Sequence, residues 1–109
     1  MTDITIWKTP EGKYRGFECN GHADFAAYGK DVVCAALSVL TINTINSIDQ
    51  LTDDRIDESA DEIAGIISCH FTNNISEKTE LLMQSFELGV NSIYRQYGKK
   101  FLNIKIKEV

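Results

Sequence analysis

The chain predicts an α+β fold in the order β-β-α-β-β-α-β, with a mostly antiparallel sheet and two helices packed on one face. Three observations lead there. β-branched and aromatic stretches open the chain and recur in its middle, two long segments carry apolar residues at helical spacing, and the last residues alternate apolar with polar. Paired strands separated by helices favour an antiparallel sheet with the helices segregated to one side. At 109 residues the chain reads as a single domain, 1–109, large enough to bury one core without disulfides.

Ile4-Thr5-Ile6-Trp7-Lys8-Thr9 has strand composition, Pro10-Glu11-Gly12-Lys13 has turn chemistry, and Tyr14 to Cys19 resumes the extended pattern. Residues 4–19 therefore predict a hairpin. Asp31 suits the N-cap of a helix whose inward positions include Val33, Leu37, Leu40, Thr44 and Ile48. Arg55 to Glu58 is polar and reads as a short edge strand, and Ile63 to Phe71 as a firmer one. Asn74 followed by Glu77 resembles a capping box at the start of a second helix. Its stripe is Leu82, Phe86, Val90, Ile93 and Tyr97, with Gly98 placed as a C-cap glycine. Leu102, Ile104 and Ile106 alternate with Asn103, Lys105 and Lys107 in a final half-buried strand.

Composition is that of a soluble globular protein, 43% hydrophobic and 25% charged. No apolar run reads as a membrane span, and Met1-Thr2-Asp3-Ile4 lacks the basic start and apolar stretch of a signal peptide. A cytoplasmic location without membrane contact is expected. The three cysteines, at 19, 34 and 69, make no disulfide framework and suit a reducing compartment. A net charge of −5 argues against direct nucleic-acid binding. The acids crowd into Asp49, Asp53, Asp54, Asp57, Glu58, Asp61 and Glu62, against a lone Arg55. A solvated face explains such a run, and docking of a basic partner segment is the other reading.

Chemistry concentrates at Gly21-His22-Ala23 and, after the Gly29-Lys30-Asp31 turn, at Val32-Val33-Cys34-Ala35-Ala36-Leu37-Ser38. With Asp31 as N-cap, Cys34 falls at the third helical position, among free backbone N–H groups at the positive end of the dipole. Such a position favours the thiolate, the reactive form. A histidine leaving the preceding strand can take the thiol proton and later protonate a leaving amine, and the helix-start N–H groups can hold an oxyanion. A small residue in an Ala-rich helix is equally consistent with plain packing. The loop between His22 and Cys34, with Phe25, Tyr28 and Gly29, is long enough to cover the site until substrate orders it.

The stretch from Gly21 to Ser38 closely resembles the signature of the ribosomal-processing cysteine protease family, G-H-A, a loop, then G-x-D-[IV]-V-C-A-A-[VL]-S. The resemblance extends over essentially the whole chain in length and element order. It implies a homodimeric cysteine endopeptidase with His22 and Cys34 as catalytic dyad. The implied substrate is the N-terminal extension of a large-subunit ribosomal protein, cut after an aromatic residue in a short apolar sequence. It also implies a hydrophobic groove near Cys34, and no cofactor. The acidic segment Asp57 to Ala64 departs mildly from the family pattern. No third catalytic residue is evident: Asp31 is explained by capping, and Ser38 shares the Cys34 face of the helix one turn on.

Two other readings compete. Cys19 and His22 have C-x-x-H spacing and Cys69-His70 lies elsewhere, but a zinc site needs three or four converging ligands. Adjacent strand residues point to opposite faces, so Cys69 and His70 diverge, and no metal is expected. A non-catalytic ribosome-assembly or ribosome-associated binding protein that keeps the motif for structure is the alternative from another class.

Overall fold

The computed structural model describes residues 1–21 and 30–109, with Lys30 and Asp31 described in backbone only. The expectations for His22 and for the loop up to Gly29 lie outside the described residues. The elements are β1 (Thr2–Lys8), β2 (Tyr14–Asn20), α1 (Lys30–Leu51), β3 (Ile56–Asp61), β4 (Ile66–Phe71), α2 (Glu77–Tyr97) and β5 (Leu102–Glu108). They form one five-stranded sheet in the order β3-β4-β2-β1-β5. Three of the four pairings are antiparallel, and β1 with β5 is parallel. The expected element order and α+β class are the observed ones.

Register decides which side chains form the core. Ile4 pairs with Cys19 and Ile6 with Phe17, and β4 continues these rows with Ile67 and Cys69. The β1, β2 and β4 strands thus turn one apolar face toward the helices. Phe17 sits at the centre, its ring centroid 4.8 Å from that of Phe86 on α2 and 6.3 Å from that of Phe71. Tilted aromatic pairs of this kind add about 1 kcal/mol beyond area burial. α1 buries Val33, Leu37, Thr41, Thr44, Ile45 and Ile48 in the same core, and α2 buries Met83, Phe86 and Val90. The two helices touch closely at Gly89, where a Cβ would lie 2.8 Å from Leu40 Cδ2.

The other sheet face is open and mostly polar. Trp7 and His70 flank Gly16 in register, and their rings meet 4.8 Å apart over the space its missing side chain leaves. A Cβ on Gly16 would lie 2.8 Å from His70 Nδ1.

One sequence expectation needs correction on composition. Val32–Leu51 is long enough and apolar enough, at a mean hydropathy of 1.5, to match a membrane span. The reason is that α1 is the core helix of the sheet. Its buried threonines are satisfied within the helix, Thr41 Oγ1 donating to the Leu37 carbonyl at 2.7 Å and Thr44 Oγ1 to Leu40 at 2.8 Å.

Several boundaries also move. The acidic stretch itself forms the edge strand β3, reaching Asp61, and β4 begins only at Ile66, because the Ile63–Gly65 segment is a turn. In that turn Asp61 Oδ1 accepts the Ile63 and Ala64 N–H groups, and Gly65 takes a φ of 71° that favours glycine. α1 begins at Lys30, so Asp31 is its second residue and not the N-cap. An acid is also favourable inside the first turn, facing the helix dipole, so its presence does not single out the cap.

α2 starts at Glu77 with Ser76 as N-cap, not at Asn74. Here a tertiary contact decides: Asp54, just after α1, accepts the Ser76 N–H at 2.9 Å, the Ser76 hydroxyl at 2.7 Å and the Thr79 hydroxyl. Gly98 ends α2 as expected, its N–H donating to the Tyr94 carbonyl at 2.7 Å with φ 79°.

Burial alone pushes the Asp54 carboxyl up, but the hydrogen bonds from Thr79 and Ser76 outweigh it and hold it below its ordinary 3.8. A depressed native pKa adds stability above the unfolded value and loses it as pH falls through the folded one. Asp54→Asn is therefore expected to lower the unfolding free energy by about 1 kcal/mol at neutral pH, a loss that solvent screening keeps small. The gap to wild type should shrink below the ordinary carboxyl range, as measured by urea melts at several pH values.

Candidate active site

Cys34 is the fifth residue of α1, not the third. Its Cβ leans toward the helix N-terminus, as every helical side chain does, so the thiol lies over the first described turn of α1. The other side of the sulfur is set by Gly21, the residue that closes β2. A Cβ on Gly21 would lie 3.2 Å from Cys34 Sγ and 2.9 Å from Thr2 Oγ1. Glycine is therefore required by close approach: any larger residue pushes on the thiol or on the buried Thr2. Gly21 is itself tied down, its N–H donating to the Gly65 carbonyl at 3.0 Å, while the Gly65 N–H donates to Asp61 at 2.8 Å. The end of β2, the β3–β4 turn and the start of α1 thus converge on one sulfur.

That sulfur opens into a groove of about 280 Å³. Cys34, Ser38 and Ile42, successive turns of one α1 face, form one wall, and Ala60, Ile66 and Ile67 of the β3–β4 hairpin form the other. Asp61, Glu62 and Gly65 line it toward Gly21 and the thiol. The family resemblance implied an apolar groove near Cys34, and this is the cleft that Cys34 lines among the described residues. Ser38 lies within it, one turn from Cys34, where the sequence placed it. Other clefts exist, such as one of about 280 Å³ between Lys13, Arg15 and the start of α2. None of those contains a cysteine among the described residues.

The other two cysteines differ physically. Cys19 and Cys69 lie on the helix-facing side of the sheet at 2% and 0% exposure, whereas Cys34 is half-buried. Burial pushes the Cys19 thiol up to about 11, and burial with Glu58 and Asp57 nearby pushes Cys69 to about 12. Both are protonated core residues at neutral pH. His70, next to Cys69, is exposed on the opposite face, as strand alternation requires.

A thiol at a helix start, at the mouth of a peptide-sized groove in an α+β sheet, is the arrangement of a thiol hydrolase. The chain belongs to the cysteine protease Prp family, whose model matches residues 1–102. It is 31% identical over 106 residues to the ribosomal processing cysteine protease Prp of Staphylococcus aureus, covering 96% of this chain and all of that one. The fold matches the crystal structure of an essential ribosomal processing protease Prp from S. aureus in complex with a substrate peptide. That match has a TM-score of 0.91 and 26% identity, over 98% of this chain and 100% of that one. A second structure of the S. aureus enzyme, with a covalently linked product peptide, matches with a TM-score of 0.85 at 27% identity over the same shares.

Alkylation separates the three thiols. At neutral pH iodoacetamide should label Cys34 well before Cys19 and Cys69, because only Cys34 reaches a solvent-accessible groove and the other two are held protonated. Gly21→Ala, by pressing a methyl group onto the sulfur, should slow that labelling, as read by mass spectrometry of tryptic peptides.

Proposed function

We propose that this protein is a cysteine endopeptidase of ribosome maturation, in which Cys34 is the nucleophile and His22 the general base and acid. The observation that carries the reading is the Cys34 thiol, pinned by Gly21 at the head of an apolar groove. His22 follows Gly21 directly in the chain, so the histidine departs from the residue that touches the thiol. Family membership and the peptide complexes of the S. aureus relative support the protease activity. The proposed substrate is the N-terminal extension of a large-subunit ribosomal protein, cut after an aromatic residue that the groove between Ile42, Ile66 and Ile67 accommodates.

The chemistry follows from the placement. With its proton on His22, the Cys34 sulfur attacks the scissile carbonyl carbon, and the carbonyl oxygen becomes an oxyanion facing the first-turn N–H groups of α1. The tetrahedral intermediate then collapses. The C–N bond breaks, His22 gives its proton to the leaving amine, and a thioester remains on Cys34. Water, deprotonated by His22, hydrolyses the thioester and restores the thiol. No cofactor or metal enters any step.

The enzyme is proposed to act in the cytoplasm as a homodimer, without contacting nucleic acid or membrane. The outer helix surface offers apolar side chains to a second copy: Val32 and Val39 of α1 are 55% and 67% exposed, and Leu81 and Leu88 of α2 are each 67% exposed. Light scattering should return twice the 12.2 kDa chain mass, and Val39→Glu should shift it toward one.

The decisive measurement is cleavage of a peptide carrying the host protein's extension. Cys34→Ala and His22→Ala should each lower kcat/KM by roughly a thousandfold or more, with the Cys34→Ala protein still binding the peptide. Undiminished cleavage by Cys34→Ala would overturn the nucleophile. Binding without cleavage by the wild type would favour the ribosome-associated binding protein instead.

A further inference from the structure

The Cys34 groove does not stop at Ile42. It runs on into a trough of about 350 Å³ between α1 and the edge strand β3. Ile42, Ala60 and Ile67 line both, so the two adjoin. The far part adds Ile45 and Asn46 from α1 and Glu58 from β3. From Cys34 to Asn46 is about 18 Å along the helix at about 1.5 Å per residue. That helix run, and the three residues of β3 from Asp61 to Glu58 at about 10 Å, are covered by an extended peptide in roughly three to five residues. The floor is apolar, and Ile42 remains 45% exposed on it.

Glu58 stands out on this wall. It lies in register with the buried Cys69 and shares the helix-facing side of β3 with Ile56 and Ala60, where alternation calls for an apolar residue. A charge pointing inward from an edge strand discourages pairing between copies. That accounts for a charge at the edge but not for the trough beside it. The sign is uniform along groove and trough: Glu58 at the far end, Asp61 and Glu62 at the Cys34 end, and no Lys or Arg among the described lining residues. An apolar floor under acidic ends fits an extended peptide that is apolar in the middle and cationic at its flank.

We propose that the α1–β3 trough is a substrate subsite in which Glu58 selects a lysine or arginine roughly three to five residues from the scissile bond. The proposal rests on Cys34 being the nucleophile and adds Glu58 as a specificity-determining residue. Apolar contact on Ile42, Ile45 and Ile67 supplies binding, and the carboxylate sets the register of the peptide by where its cation stops. Because Glu58 is exposed to solvent, its contribution is that of a surface ion pair, modest and screened by salt.

The test is a fluorogenic peptide set with one aromatic residue before the scissile bond and Lys, Ala or Glu placed in turn at each position out to six residues on either side. The wild type should prefer Lys over Glu by roughly fivefold in kcat/KM, mainly through KM, at one position roughly three to five residues from the bond. Glu58→Lys should invert the ranking at that position alone, and Glu58→Gln should flatten it. Glu77→Lys, the same charge change at the start of α2, should leave the ranking as in wild type. A preference that ignores residue 58, or that shifts equally in Glu58→Lys and Glu77→Lys, would overturn the subsite while leaving the nucleophile standing. Cleavage that does not depend on Cys34 would overturn both.

Discussion

The packing of α1 across β2 and β4 is the contact on which the rest of the molecule depends. Val33, Leu37 and Ile48 are fully buried there, and each such side chain contributes about 1.5–3 kcal/mol. The same helix presents Cys34 and Ser38 one step around its circumference, toward the β3–β4 hairpin. A helix is rigid on this scale, so the residues that dock α1 also fix where the thiol stands. Buried threonines bonded back to Leu37 and Leu40 allow close packing without orphaned hydroxyls.

Gly21 couples that docking to the chemistry. The end of β2 can approach the thiol only because no side chain intervenes, and its N–H bond to Gly65 fixes the distance. Three segments distant in sequence thereby share one small volume. Such a site stands on rigid elements, the arrangement that holds catalytic groups to productive geometry. The groove inherits its shape from the same elements, with one wall from the outer flank of α1 and the other from a hairpin whose edge strand carries acids.

Much of the fold was legible locally. Alternation at 102–106, the turn chemistry at 10–13, the stripe from Leu82 to Tyr97 and the glycine at 98 each identified its element, because each reports on backbone geometry over a few residues. Boundaries failed where distant contacts act. Ser76, not Asn74, caps α2 because Asp54 reaches it from 22 residues away. The segment from Asp57 to Ala64 is unusually acidic for the family, yet Asp57 to Asp61 pairs along β4, where an edge strand tolerates exposed charged side chains. Asp31 looked like a cap and lies inside the helix. The apolar length of α1, misleading by composition, reflects burial against a sheet that no local window contains.

The sequence by itself determined the element order, the nature of both helices and the presence of a histidine and a cysteine in a protease signature, since these depend on residue type and spacing. Only the tertiary structure decided that β5 joins β1 in parallel, that Gly21 abuts the thiol, and which side chains line the groove beyond it. Sheet order and helix docking are set by the summed burial of side chains from all seven elements, a quantity carried by no single segment. For the same reason the place of Glu58 on the groove wall could not be read from the acidic run that contains it.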